Sequence, residues 1–80
     1  MFGKNYRGVF SKMGEGLLEK YIEDLKKELK NRPKDSELLL KLGIAYVRVG
    51  KTDNARELYK ELKEIDQEKA KELLDAIYDL

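Results

Sequence analysis

The side chains that usually carry out catalysis are sparse in this chain of 80 residues. Histidine and cysteine are both absent, which removes the physiological-pH acid and base, the commonest transition-metal ligand and the thiolate nucleophile. The hydroxyls of Ser11, Ser36, Thr52 and the five tyrosines have no histidine to take their proton. Ser36 and Thr52 also stand at expected helix starts, where a hydroxyl serves as an N-cap. Sixteen carboxylates offer pairs such as Asp75 with Asp79. They interleave with lysines, the pattern of a solvated helix surface rather than of an acid and base pair held at different pKa values. Gly14-Glu15-Gly16 lacks the Lys-Ser/Thr ending of a phosphate-binding loop. We expect no catalytic residue, no metal and no cofactor, and hence a protein that is not an enzyme.

What remains is binding, and the composition bounds it. A single domain of this size buries only about 60% of its unfolded surface, so every helix must serve one core. No apolar run approaches the roughly 20 residues that cross a bilayer, and the first residues lack the pattern of a signal peptide. The absence of cysteine fits a reducing compartment, and the expectation is a soluble cytoplasmic protein. Charged residues make up 41% of the chain, dominated by Lys and Glu, a balance common in proteins from hot environments. The net charge of +1 argues against general nucleic-acid binding by the whole domain. Three of the seventeen basic residues and none of the sixteen acidic ones fall in residues 1–14. The positive excess therefore sits in the leader, and residues 15–80 are slightly acidic.

The elements that position these groups read as helices. Four of the six glycines lie in residues 1–16, so residues 1–14 are expected to be a flexible basic and aromatic leader. From there, Leu18, Tyr21, Ile22, Leu25 and Leu29 recur at helical steps, over a helix of about residues 15–31 that must stop before Pro33. A second helix, 36–49, follows Asp35 or Ser36 and ends at Gly50. A third, 53–65, carries Ala55, Leu58, Tyr59, Leu62 and Ile65. A fourth, 67–79, follows Asp66 with Ala70, Leu73, Leu74, Ile77 and Leu80 as its apolar positions. No strand alternation competes, and the fold class is all-α, with residues 15–80 as one domain.

Leu39, Leu42-Gly43, Tyr46, Gly50, Ala55 and Tyr59 fall at the steps of a known repeat. Over Ser36 to Lys69 the chain resembles the tetratricopeptide repeat, a helical hairpin of about 34 residues. Leucine replaces the usual tryptophan at Leu39, and Leu62 stands where alanine is common. Leu25, Leu29 and Pro33 are similar to the closing half of a preceding repeat, and Leu73 and Ala76 to the opening of a following one. An unrelated four-helix bundle would also place small residues at one crossing. The resemblance implies antiparallel hairpins, with Gly43 facing Ala55 where the second and third helices cross. It implies a partner groove lined by Glu37, Leu40, Ile44, Val47 and Arg48, with Lys41 and Arg48 at its rim. Leu40, Ile44 and Val47 form a stripe of their own, which either lines that groove or packs within the domain.

The expected function is a small adaptor or assembly module that holds a protein or peptide segment, with a second copy of the chain as another candidate partner. The alternative is an accessory protein that contacts nucleic acid or an anionic surface through its leader. There Phe2, Tyr6 and Phe10 alternate with Lys4, Arg7 and Lys12.

Overall fold

A computed structural model describes residues 15–78, so the expectations for the leader and for Leu80 lie outside the described residues. Four helices account for nearly all of that span: α1 (Glu15–Asn31), α2 (Ser36–Arg48), α3 (Thr52–Ile65) and α4 (Gln67–Tyr78). No strand occurs among the described residues, and the chain is all-α as expected.

The breaks between helices follow from local chemistry. α1 ends two residues before Pro33, whose ring disfavours helical geometry in the residue preceding it. Asp35 then caps α2, its carboxylate accepting from the amides of Glu37 at 3.0 Å and Leu38 at 3.2 Å. That satisfies two of the orphan donors every helix start leaves. At the other end of α2, Gly50 adopts a φ of 85°. The Lys51 amide donates to the Tyr46 carbonyl at 2.8 Å and the Gly50 amide to Val47 at 3.1 Å, the paired bonds of a Schellman stop. Between α3 and α4 a single residue, Asp66, turns the chain. Its amide donates to the Leu62 carbonyl, and its carboxylate accepts from the Lys69 amide at 3.2 Å. One side chain thus closes one helix and opens the next.

Thr52 differs from expectation. The N-cap of α3 is Lys51, with no side-chain bond to the helix amides, and Thr52 is already the first helical residue. Asp53 sits in the first turn, where a carboxylate favours the positive end of the helix dipole.

The core is apolar, with no polar or charged side chain buried among the described residues. α2 lies at its centre and packs against each of the other three helices, while α1 joins the domain through α2. Consistent with that position, Leu38, Leu39, Leu40, Leu42, Ile44, Ala45, Tyr46 and Val47 are all buried. A helix apolar on nearly every side requires neighbours on nearly every side. α1 contributes Leu18, Ile22 and Leu25, α3 contributes Ala55, Leu58 and Leu62, and α4 contributes Ala70, Leu73 and Ile77. Ile65, expected on the apolar stripe of α3, is exposed instead, because α3 ends there and Asp66 carries the chain away.

Two contacts fix α4 alongside α2 in parallel. Near their N-termini the Lys69 ammonium lies 3.5 Å from the Glu37 carboxylate. One turn or so further along, Leu73 abuts Gly43, so closely that a Cβ on Gly43 would stand 2.6 and 2.7 Å from the two Leu73 methyls. The three atoms nearest such a Cβ all belong to Leu73, so α4 makes the closest approach at Gly43; Ala55, the residue expected to face it, is fully buried.

Candidate interaction surface

The structure divides the expected groove residues. Leu40, Ile44 and Val47 are 0%, 7% and 9% exposed. They belong to the buried core cluster, so of the two readings left open for this stripe, burial favours packing over an exposed groove. α2 has two apolar stripes, and both are buried. Glu37 and Lys41 are partly exposed and Arg48 is exposed. These three form the polar edge of α2. The leader positions Phe2, Lys4, Tyr6, Arg7 and Phe10 lie outside the described residues.

Glu37 is the electrostatic centre of that edge. It pairs with Lys69 across the helix interface, and Lys69 also lies 4.0 Å from Asp66. On the α1 side, burial first and then the charges of Glu28 and Glu37 raise the Tyr21 phenol above its ordinary value. On the α4 side, partial burial raises the Glu72 carboxyl, Lys69 opposes that shift, and Glu37, Asp66 and Glu68 add to it. The N-terminal half of α2 therefore sits in a field with more carboxylates than ammonium groups.

A concave feature lies at the opposite end of α2. A cleft of about 430 Å³ opens between α1 and the turn from α2 into α3. Its apolar part is Ile22, Tyr46 and Val49, and its walls carry Glu19, Glu23, Lys20, Lys26 and Lys51. The fold builds it simply: α1 packs on α2 through one stripe, and the Schellman stop at Gly50 bends the chain into α3 just beyond Val49. A notch of charged α1 side chains is left facing the turn. Sequence reasoning missed this cleft, since nothing in the spacing of Glu19, Lys20, Glu23 and Lys26 singles them out. Among the described residues no cluster of acidic side chains is arranged to hold a metal ion. None of the helices among them is long and apolar enough to cross a membrane.

Comparison with protein-family models, with curated proteins and with solved structures gives no match.

Proposed function

We propose that this protein is a small tetratricopeptide-like interaction module that holds a polypeptide segment and catalyses nothing. The observation that carries the proposal is the cleft between α1 and the α2–α3 turn, with a small apolar floor inside a ring of alternating charges. A pocket for a small organic cofactor is lined mostly by apolar side chains. This one offers a shallow anchor point with lysines and glutamates around it, which suits a peptide bearing one apolar side chain flanked by charges. The helix order gives further support. In the α2–α3 hairpin, with α4 laid parallel to α2, each pair presents a face to the next, the logic by which helical repeats stack. We place the module in the cytoplasm, where a chain without disulfides loses nothing.

The test is a peptide-display selection against the intact chain, followed by titration of an enriched peptide. Lys20→Glu with Lys26→Glu reverses two exposed charges at the cleft wall without touching the core. The double variant is expected to lower affinity about tenfold or more, mainly through slower association and lost pairing. Unchanged affinity would move the site elsewhere. Binding that instead collapses with added salt and with Lys4→Glu and Arg7→Glu would favour the leader-mediated alternative.

A further inference from the structure

The cleft between α1 and the α2–α3 turn holds a hydroxyl that the chain itself leaves unused. Tyr46 is only 6% exposed, yet it lines the cleft, and its phenol makes no hydrogen bond among the described residues. None of the side-chain oxygens among those residues is both buried from solvent and unpaired. What little Tyr46 exposes therefore includes its hydroxyl, and the surface it opens onto is the cleft. A nearly buried phenol O–H is a donor that calls for an acceptor.

Further donors stand at the same wall. Lys51 and Asn54 line the cleft where α3 begins. Lys51 occupies the N-cap and makes no side-chain bond to the helix, so the first amides of α3, those of Thr52, Asp53 and Asn54, have no capping acceptor. Such amides, together with the positive end of the helix dipole, favour an anion. The one acid of that turn, Asp53, is exposed, lies 3.5 Å from Arg56 and does not line the cleft. The α1 wall is electrically balanced, with Glu19 and Glu23 against Lys20 and Lys26. Positive charge is thus in excess on the turn side.

We propose, building on the reading of the cleft as a peptide site, that this turn wall takes an anionic side chain of the bound segment. The oxygens of its carboxylate or phosphate accept from the Tyr46 hydroxyl, the Asn54 side-chain amide and the uncapped amides of α3, with the Lys51 ammonium beside them. An apolar neighbour in the segment rests on Ile22 and Val49. Hydrogen bonds to a charged acceptor are about twice as strong as neutral ones, so the acid selects which segments bind. These positions are separate from Leu40, Ile44 and Val47, where the repeat resemblance would put a groove.

Titration of the intact chain with display-selected peptides, resynthesised with both termini blocked, tests this. The enriched peptides should share an Asp or Glu beside an apolar residue, and replacing that acid by its amide should weaken binding about tenfold or more. Phosphoserine at the same position separates the two anions: binding about tenfold tighter than the acid assigns a phosphate site, and binding no tighter assigns a carboxylate site. Tyr46→Phe removes only the hydroxyl. It should leave the melting temperature unchanged and lower affinity for the acidic peptide about fivefold to tenfold, with the amide peptide within about twofold. Should Tyr46→Phe lower the melting temperature, Lys51→Asp gives the same reading from an exposed position. Its carboxylate caps the same amides, so affinity for the acidic peptide should fall about tenfold or more while melting stays level or rises. Equal affinity for acid and amide peptides, or equal losses with both in Tyr46→Phe and Lys51→Asp, would overturn the proposal and leave the cleft a peptide site. If no peptide is enriched at all, the peptide site falls and this inference with it.

Discussion

Gly43 provides the sharpest test of how α4 is seated, because its two opposing effects can be separated. A Cβ at this position would lie 2.6 and 2.7 Å from the Leu73 methyls and 3.2 Å from Leu73 Cγ, and Leu73 is fully buried with little room to turn. Gly43→Ala should therefore cost about 1–3 kcal/mol in overpacking. Against this, alanine in a helix interior recovers about 1 kcal/mol relative to glycine. The net expectation is a destabilisation of about 0–2 kcal/mol. Leu73→Ala alone should cost about 2–5 kcal/mol, as a buried leucine truncation does. In the double variant the methyl added at position 43 enters space that the Leu73 side chain has vacated, so the clash vanishes while the helix gain remains. The pair should be more stable than the sum of the two single changes by about 1–3 kcal/mol. Urea unfolding monitored by far-UV circular dichroism reads this directly. A stabilising osmolyte should be present throughout, because the single Leu73→Ala change consumes most of the stability expected of a chain this short. Additivity within about 0.5 kcal/mol would refute the seating of Leu73 on Gly43. A clash relieved by truncating another residue instead would relocate the helix crossing.

Other substitutions probe the remaining joints. Asp35→Ala should cost about 1 kcal/mol through the lost cap, and Ser36→Ala should be nearly neutral, a contrast that thermal melting of the two variants checks. Ile44→Glu should abolish folding rather than binding, because an unpaired charge at a site only 7% exposed costs several kcal/mol; loss of the helical circular dichroism signal is the readout, and a folded variant would return the stripe to the surface. Glu72→Gln should stabilise the domain slightly at neutral pH. The folded carboxyl is raised above 4.5, so the native state binds the proton more tightly and stability falls as pH rises through the interval just above that value. The advantage of glutamine should fade as pH drops below that interval, and a constant difference at all pH values would contradict the assignment. Lys69→Met should weaken the domain by no more than about 1 kcal/mol at low salt, and by less at high salt where the partly exposed pair is already screened, with melting at the two salt concentrations as the check.

Much of the helix layout was legible because its punctuation is local. Pro33, Asp35, Gly50 and Asp66 act on their immediate neighbours through ring sterics, capping bonds and positive φ, and a linear sequence displays all of these. Which faces meet is a different matter. The stripe of Leu40, Ile44 and Val47 signals that α2 has a second apolar face, but spacing cannot say whether another molecule or this chain itself buries it. The stronger clue was that α2 is apolar around nearly its whole circumference, which marks a central helix. Gly43 was legible as a close approach but not as an approach to Leu73, since the hairpin pattern directs attention to the sequence neighbour α3. The cleft left no signature at all. Its walls are ordinary charged positions of α1, and only the packing of α1 on α2 turns them toward Val49 and Lys51.

The central claim is that a polypeptide segment seats in the cleft between α1 and the α2–α3 turn. Amide and methyl chemical-shift mapping of the intact, isotope-labelled chain with a display-selected peptide tests it most directly. The predicted result is a saturable set of shifts centred on Ile22, Tyr46, Val49 and Lys51, with Leu40 and Ile44 undisturbed in the core. Saturable shifts confined to Glu37, Lys41 and Arg48, or no saturable shifts with any selected peptide, would contradict it.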